Sequence, residues 1–370
     1  MGDIMQVKIK KLDNFGRGIT YINNKICFVD NALPGEVVEI EITKEKSKYL
    51  EARVINVIES SPDRVKVDCP YYDICGGCNL RHLSYEKENE FKREKVQELI
   101  NHIGKLNVKV NNIVYGPENN YRNKVTFHSS KNKIGYFEKG TKNIVSIDDC
   151  LLLDNLINDN IKNIKYSPKD IVIRTSNDGK EILMNDDSSI ITNIGDKKYY
   201  VSRDSFFQVN KYLTKDLYDL IRNNIDKKYN MCLDLYCGTG TIGIYISDLV
   251  NEIIGIDYSE SNINDANKNM ILNSITNISF ICDKVENKID TFKNIDLVIV
   301  DPPRAGLDNK TKKYLNEINS ERIIYVSCDP ATLSRDLKDL SDNYNILSLT
   351  PVNMFPRTYH CEAIAVLERR

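Results

Sequence analysis

The chain has 370 residues, 51 of them basic and 53 acidic, so its formal net charge is -2. Hydrophobic residues make up 41%, which predicts a folded protein of two or three domains and excludes an intrinsically disordered one. No apolar run exceeds about six residues, against the roughly 20 that cross a bilayer, and the N-terminus lacks the apolar core of a signal peptide. We therefore expect a cytoplasmic protein with no membrane partner. The charge balance does not indicate a strongly basic nucleic-acid binder.

Residues 1–60 are predicted to form a small β-barrel. Residues 5–12, 19–29, 37–46 and 49–59 show the partial two-residue alternation of short strands. The turn sequences DNFGRG and DNALPGE separate them. Four or five short strands in so few residues are typical of an oligonucleotide-binding (OB) type of barrel.

A group of cysteines follows the predicted barrel. The chain has ten cysteines, and three of them, Cys69, Cys75 and Cys78, lie in the sequence CPYYDICGGC. In a cytosolic protein they are expected to be thiols or metal ligands. With the distant Cys150 as a fourth ligand, this spacing favours an iron–sulfur cluster. A zinc site is an alternative, although zinc sites usually show a second paired C-x-x-C or a histidine pair, and inert thiols are another.

Residues 61–200 are predicted to form a central α+β iron–sulfur and RNA-binding domain. Within it, residues 85–104 are expected to form an amphipathic helix that packs on the C-terminal domain and ends at Gly104. Its predicted apolar face consists of Phe91, Val96, Leu99, Ile100 and Ile103. A second helix is expected around residues 151–164. Residues 121–143 hold six Lys or Arg and one Glu, which predicts either a phosphate-contacting face or a solvated hairpin.

Residues 201–370 alternate between strands and helices, which predicts an α/β fold with a doubly wound parallel sheet. The sequence GTGTIG, from Gly238 to Gly243, stands between a strand and a helix, and Asp257 follows 19 residues after Gly238. This arrangement predicts an adenosine cofactor, either NAD or S-adenosylmethionine, although a tight packing turn would give the same letters. Asp234 precedes the loop, where its carboxylate can meet an amino-acid ammonium group. This favours S-adenosylmethionine.

Three further residues stand where buried strands end or begin. Asp301, in DPPR, can bind the edge of a planar nitrogen heterocycle, or can simply cap a helix. Cys328, in YVSCDP, stands at a strand exit, the edge of an open α/β sheet where ligands bind. A thiol there, before a helix, is expected to have a lowered pKa and to act as a nucleophile, with a structural thiol as the alternative. Glu362 is either a general base or a surface charge, and His360 is a competing base.

Together these motifs resemble those of the RNA uracil-5-methyltransferases, which form 5-methyluridine in ribosomal and transfer RNA. CPYYDICGGC and the later Cys150 resemble the family's 4Fe-4S ligands. The N-terminal segment resembles the TRAM domain that some members carry for RNA binding. The signatures FFQVN, DLYCGTGTIGI, DPPRAGL, YVSCDPATLSRDL and HCEAIAVL follow in the family's order. The resemblance implies a Rossmann-like S-adenosylmethionine methyltransferase domain over residues 201–370.

The resemblance also implies residue roles. Cys328 would be the nucleophile, and Glu362 the base that removes the proton from carbon-5 of uracil. The cofactor-binding residues would be Gln208, Asp234, Tyr236, Gly238, Gly240, Asp257 and Asp301. The substrate-binding residues would be Phe206, Asp301, Arg122 and Lys124, and the cluster ligands would be Cys69, Cys75, Cys78 and Cys150.

The substrate is expected to be RNA, and the protein a monomer. A TRAM-like domain together with four cluster cysteines resembles the 23S ribosomal RNA enzymes more than the bacterial transfer RNA enzyme, so ribosomal RNA is favoured and transfer RNA is the alternative. An NAD-dependent iron–sulfur oxidoreductase is a rival from another class, but it leaves DPPR, SCDP and the barrel unexplained. An RNA-binding protein with an inactive core is a second rival.

Overall fold

The computed structural model describes residues 4–130, 133–184 and 189–370. Six strands form the N-terminal sheet, in the order β1-β5-β6-β4-β3-β2. They are β1 (Ile4–Lys8), β2 (Lys11–Leu12), β3 (Gly18–Ile22), β4 (Lys25–Asp30), β5 (Val37–Glu45) and β6 (Tyr49–Glu59).

The two edges of this sheet meet. Strands β1 and β2 belong to one segment, in which the N–H of Ile9 donates to the carbonyl of Glu36 and the N–H of Lys10 donates to that of Ile19. The segment therefore pairs with β5 at its start and with β3 at its end. This closure confirms the predicted barrel, and it leaves no free sheet edge among the barrel strands from residue 4 onward.

Helix α1 (Tyr85–Leu99) begins at Ser84, whose side chain accepts a hydrogen bond from the N–H of Lys87. It packs against residues of the C-terminal domain. The Nζ of Lys92 donates to the side chain of Asn353 at 2.7 Å and to the carbonyl of Phe355 at 3.0 Å. Helix α1 thus ties the region after the barrel to the end of the chain.

The predicted apolar face of this helix is wrong in two respects. Ile103 is 40% exposed, and Phe91 is only partly buried. The buried face instead carries Lys92 and Glu88, an ion pair at 2.8 Å with both side chains fully buried. The C-cap is also displaced, because Gly104 closes a π-helical turn and the left-handed residue is Lys105, with φ +54°.

The central sheet has the order β11-β10-β7-β8-β9. Val125 and Phe127 of β7 are buried in its core, while Lys124 and His128 alternate with them on the opposite face. The predicted second helix forms as α2. The elements are β7 (Lys124–Ser130), β8 (Lys133–Phe137), β9 (Ile144–Val145), α2 (Asn155–Asn160), β10 (Ile171–Thr175) and β11 (Ile182–Leu183).

A hairpin of β12 (Ser189–Ile194) and β13 (Lys197–Ser202) follows. Its buried side chains join the core of the C-terminal domain, where Tyr199 packs near Phe207. The hairpin therefore packs with the C-terminal domain, although the predicted boundary at residue 200 assigns it to the central one.

The C-terminal sheet has the order β16-β15-β14-β17-β18-β20-β19. Strands β14 to β18 are parallel, and β20 runs antiparallel to both β18 and β19. Apolar side chains fill both faces, which confirms the doubly wound sheet. The elements are α3 (Thr214–Asn223), β14 (Tyr229–Leu235), α4 (Thr241–Tyr245), β15 (Val250–Asp257), α5 (Glu260–Leu272), β16 (Ile278–Cys282), α6 (Val285–Lys288), β17 (Leu297–Val300), α7 (Asn309–Glu317), β18 (Arg322–Ser327), α8 (Pro330–Leu340), β19 (Tyr344–Val352) and β20 (Glu362–Arg369).

Of the helices in the described ranges, none is both long enough and apolar enough to cross a bilayer.

Candidate active site

The parallel strands bring four predicted site residues to one edge of the sheet. Asp234 is the second-to-last residue of β14, and Asp257 is the last residue of β15. Asp301 and Cys328 directly follow β17 and β18. The carboxyl ends of neighbouring parallel strands share an edge, where open α/β sheets bind ligands. Glu362 reaches the same edge from the opposite direction, because β20 is antiparallel and pairs Ala363 with Ser327. The register therefore brings Glu362 next to Cys328.

The glycine loop lies against Asp257. The N–H of Gly238 donates to Asp257 Oδ2 at 3.1 Å. Gly238 has φ +55°, and a Cβ built on it would have no described atom within 4 Å. Gly240 has φ +74°, and a Cβ there would lie 2.6 Å from the ring of Phe280. Glycine is thus needed at Gly240 for packing, whereas Gly238 leaves open space beside the Asp257 carboxylate.

Asp234 lies beneath this loop with one oxygen unused. Its Oδ2 accepts from the N–H of Gly243 at 3.0 Å, whereas its buried Oδ1 has no hydrogen-bond partner within the described part of the chain. Burial raises the pKa of Asp234 to about 7. An oxygen left buried and unpaired is a site for a ligand's N–H or ammonium group, because an unmade hydrogen bond costs about 1–3 kcal/mol.

The segment around Gln208 docks on the same loop. The backbone carbonyl of Phe206 accepts from Thr239 Oγ1 at 3.5 Å, and its N–H donates to Asn262 Oδ1 at 3.5 Å. Asn262 in turn donates through Nδ2 to Asp257 Oδ1 at 3.1 Å. The Phe206 side chain is 57% exposed, whereas Gln208 is buried. Asn262 therefore joins the cofactor loop to the Phe206 segment.

Tyr236 has a different position from the other predicted cofactor residues. It has φ +63°, and its side chain packs with the apolar cluster on the α7 side of the sheet. Burial raises the pKa of Tyr236 to about 12, and its hydroxyl interacts with Thr311 and Asp308. The backbone of Tyr236 belongs to the glycine loop, but its side chain is directed to α7.

The expected low pKa of the Cys328 thiol is wrong. Burial, followed by the charges of Glu362 and Asp301, raises the pKa of Cys328 to about 11, while Arg304 acts in the opposite direction. Asp329 caps α8, with its side chain accepting from the N–H groups of Ala331 and Thr332. The N–H groups at the start of α8 are thus already bonded to Asp329. The neighbouring carboxylates raise the pKa of Cys328.

Asp301 and Glu362 are two buried carboxyls that affect each other's protonation. Burial raises the pKa of Asp301, and burial together with the Asp301 charge raises that of Glu362 to about 8. Glu362 Oε2 is buried and makes no hydrogen bond to any described residue. Two neighbouring buried carboxyls cannot both ionise easily, so one of them keeps a proton near neutral pH.

His360 is a weaker base than Glu362. Burial and the charges of Arg304, Lys95 and Lys92 lower the pKa of His360 to about 4. The imidazole is therefore neutral at physiological pH and holds a proton poorly.

The four candidate cluster cysteines line one cavity of about 270 Å³, together with Arg122, Arg304 and His360. Burial and the neighbouring thiols raise the pKa of Cys78 to about 12. Tyr136 donates through its hydroxyl to Cys150 Sγ at 4.0 Å. The described residues contain no group of three or more His, Cys, Asp or Glu that could hold a metal ion.

The basic residues at the start of segment 121–143 are not simply solvated, whereas Lys133 and Lys142 are exposed. Arg122 and Lys124 are both partly buried, and Arg122 Nε donates to the carbonyl of Lys124 at 2.9 Å. Burial and nearby Arg174 lower the pKa of Lys124 to about 8. Lys131 of the same segment lies outside the described residues.

The wall of the cavity at Cys328 contains residues that were not predicted from the sequence motifs. This cavity, of about 240 Å³, is lined by Lys95 of α1, by Arg304, and by Asn14 and Phe15 of the barrel. Arg304 directly follows the prolines of the DPPR motif, so its proximity to Asp301 was a usable signal. Asn14 and Phe15 lie more than 300 positions from Cys328, and no spacing rule connects them.

Known proteins resemble this chain in sequence and in fold. The family described as tRNA (Uracil-5-)-methyltransferase matches residues 160–370, and the TRAM domain matches residues 1–55. A protein of Aquifex aeolicus named an uncharacterized RNA methyltransferase is 34% identical over 98% of each chain. One of the same description from Caldanaerobacter subterraneus is 32% identical, covering 100% of this chain and 99% of the relative.

Among solved structures, Pyrococcus abyssi tRNA (uracil-54, C5)-methyltransferase in complex with S-adenosyl-L-homocysteine matches with a TM-score of 0.81. It is 26% identical, and the match covers 98% of this chain and 100% of that one.

Proposed function

Because the chain belongs to the tRNA (uracil-5-)-methyltransferase family and is therefore an S-adenosylmethionine-dependent RNA uracil-5-methyltransferase, we propose that Cys328 and Glu362 carry its reaction. The observation that carries this proposal is the pairing of β18 with β20, in which Ser327 faces Ala363. A thiol and a carboxyl thus adjoin at the ligand-binding edge of the sheet. The charge of Glu362 also raises the pKa of Cys328, which supports the same pairing.

S-adenosylmethionine supplies an electrophilic methyl group when it is bound. The proposed residues fit it, because Asp234 offers an unpaired oxygen and Gly238 leaves open space beside Asp257. Asp257 is suited to accept hydrogen bonds from ribose hydroxyls. The full proposed set is Gln208, Asp234, Tyr236, Gly238, Gly240, Asp257 and Asp301, with Tyr236 acting through its backbone.

In the proposed reaction, Cys328 is the nucleophile. Its Sγ, once deprotonated, forms a bond to carbon-6 of uracil, and the electrons of the carbon-5–carbon-6 double bond move to the carbonyl oxygen at carbon-4. Asp301 stabilises this enolate or the imide edge of the ring by a hydrogen bond. Carbon-5 becomes nucleophilic by this addition and bonds to the methyl carbon of S-adenosylmethionine, while the sulfur–methyl bond breaks and S-adenosylhomocysteine leaves.

Glu362 completes the reaction. Its carboxylate removes the proton from carbon-5, the double bond re-forms, and the thiolate of Cys328 leaves carbon-6. Its raised pKa makes Glu362 a stronger base than an ordinary glutamate, and far stronger than His360. The target base has to leave its stack to reach these groups. Phe206, Arg122 and Lys124 are proposed to contact the base and its phosphates.

The rate of methylation is expected to rise with pH. Glu362 accepts a proton only when ionised, and its ionised fraction is lost as the pH falls below its pKa of about 8. The thiolate fraction of Cys328 changes in the same direction. We therefore expect kcat/KM to rise by at least about tenfold between pH 6 and pH 8. His360→Gln should keep the midpoint of this profile, and a profile that is flat or falling over this range would contradict the assignment of Glu362.

Cys69, Cys75, Cys78 and Cys150 are proposed to hold a 4Fe-4S cluster. Their common cavity supports this, as does a donor set of four thiols, which suits iron–sulfur clusters. Zinc is less well supported, because a zinc site usually shows a second paired C-x-x-C or a histidine pair. Iron and acid-labile sulfide analysis of anaerobically purified protein tests this, and iron-free protein with full activity and stability would contradict it.

We propose 23S ribosomal RNA as the substrate, on the resemblance of the TRAM barrel and the four cysteines to the 23S enzymes. Transfer RNA is a second candidate, favoured by the match along the whole chain to a transfer RNA enzyme. Purified protein with labelled S-adenosylmethionine and unmodified total RNA distinguishes them. We expect labelled 5-methyluridine in the ribosomal fraction. Label confined to transfer RNA would make the second candidate correct, and no label in either fraction would contradict both.

A further inference from the structure

The cavity at Cys328 has walls from three parts of the chain. Cys328 and Tyr359 come from the C-terminal domain, Lys95 from α1, and Phe15 from the turn between β2 and β3 of the barrel. The N-terminal barrel therefore reaches the reactive thiol itself. Apart from Cys328, these wall residues lie outside the cofactor loop and outside the residues proposed above for the target base.

The barrel turn holds Phe15 in a fixed position. The side chain of Asp13 accepts from the N–H of Phe15 at 2.9 Å and from that of Arg17 at 2.8 Å. Gly16 has φ +79°, and a Cβ there would lie 2.5 Å from the side chain of Leu80. The turn is thus closed internally and packed on the segment after the cysteines. Phe15 nevertheless remains 53% exposed, so its ring is accessible to a ligand.

The ring of Phe15 is the first of three aromatic rings in contact, followed by Tyr359 and His360. The rings of Phe15 and Tyr359 meet edge to face, with centroids 5.2 Å apart, and Tyr359 lies 4.2 Å from the ring of His360. Lys95 Nζ donates to the carbonyl of Tyr359 at 2.9 Å, which fixes the backbone. Glu362 follows three residues after Tyr359. The exposed ring of Phe15 thus lies against the half-buried ring of Tyr359, three residues before the general base in the chain.

Cations accompany this aromatic pair. Arg304 and Lys95 line the same cavity. On its other side Phe15 borders a cleft of about 530 Å³, which also holds His128 stacked on Phe137 at 3.7 Å. The charged residues of that cleft are Arg17, Lys139, Asp30 and Glu138. These four charges balance, so the positive charge near Phe15 comes from the Cys328 cavity, where Arg304 and Lys95 outnumber Asp329. Aromatic rings beside cations are typical of single-stranded nucleic-acid sites, where bases stack and phosphates meet positive charge.

We propose that Phe15 and Tyr359 form a stacking site for the base of the nucleotide next to the target uridine, in an unpaired RNA segment. The inference rests on the proposed function, since the target base is held at Cys328. It makes Phe15 of the barrel a specificity-determining residue for the methyl transfer. It also requires the RNA to be single-stranded on at least one side of the methylated position.

The test compares Phe15→Ala with Tyr21→Ala, an equally exposed aromatic of the barrel at 54% that is absent from both cavity walls. Base–aromatic stacking is worth about 1–3 kcal/mol per base, so kcat/KM on the RNA that wild type methylates should fall roughly 5- to 150-fold in Phe15→Ala. The fall should appear in KM, because stacking acts before and during the reaction. Tyr21→Ala should match wild type, and Phe15→Trp should retain activity.

Abasic nucleotides make the test specific to a base. The substrate is a short RNA around the methylated uridine, with an abasic nucleotide in place of the neighbour that stacks on Phe15. This replacement should lower kcat/KM of the wild-type protein by the same factor as Phe15→Ala does. It should lower kcat/KM of Phe15→Ala itself only slightly further. If the abasic replacement lowered kcat/KM of Phe15→Ala as much as that of wild type at every flanking position, the proposal would be overturned. A Phe15→Ala variant with wild-type kinetics would also overturn it. If wild type methylates no RNA, the proposed function has failed. The stacking site can then still be tested by the affinity of Phe15→Ala and Tyr21→Ala for a labelled 23S transcript. Equal affinities of the two variants would overturn it.

Discussion

Cys328→Ala is expected to lose methylation by about 10⁴-fold or more, because without the thiolate carbon-5 of uracil is too weak a nucleophile to take the methyl group. The cavity at Cys328 is separate from the glycine loop, so the variant should still bind S-adenosylmethionine with wild-type affinity. Single-turnover transfer of labelled methyl groups measures the first quantity. Equilibrium dialysis measures the second.

Cys282→Ala provides the matched control. Cys282 is an exposed thiol at the end of β16, in the same sheet. Its removal should leave the rate unchanged. A Cys328→Ala variant that methylates RNA at more than about one hundredth of the wild-type rate would contradict the role of the thiol, because loss of a nucleophile costs far more than that.

Glu362→Gln is expected to stop the reaction after methyl transfer. The amide has nearly the shape of the carboxyl but cannot accept the carbon-5 proton, so the thiolate cannot leave and the protein stays bound to the RNA. Turnover should fall by about 10²- to 10⁴-fold, while a denaturant-resistant protein–RNA complex accumulates. Gel electrophoresis under denaturing conditions, with labelled RNA, measures the complex.

Glu368→Gln is the control on the same strand. Glu368 is exposed and pairs with Arg322 at 2.9 Å, far from the sheet edge that holds Cys328. It should turn over normally and leave no complex. If Glu362→Gln also turned over at the wild-type rate, another group would have to be the base.

The arrangement of the C-terminal site was predictable because parallel strands end at one edge. Asp234, Asp301 and Cys328 each stand at or just past a strand end in the sequence, and that pattern alone brings them together. The closure of the N-terminal barrel was also predictable, since short alternating strands with strong turns have few other ways to hide their edges.

Features that depend on remote partners were not predictable. The buried charge of Lys92 is satisfied by Glu88 within α1, but also by Asn353 more than 250 positions away. The pKa of Cys328 is raised by burial, by Glu362 and by Asp301, which lie on other elements. Helical periodicity and the position of a thiol before a helix contain none of this information.

The central claim is that Cys328 bonds to carbon-6 of the uridine that becomes methylated. The most direct measurement is mass spectrometry of the complex trapped by Glu362→Gln, after digestion with trypsin and ribonuclease. We expect the tryptic peptide of residues 323–335, in which Cys328 is the single cysteine, to carry one uridine nucleotide with one added methyl group. A nucleotide on a peptide with a different cysteine, or one without the methyl group, would contradict the account.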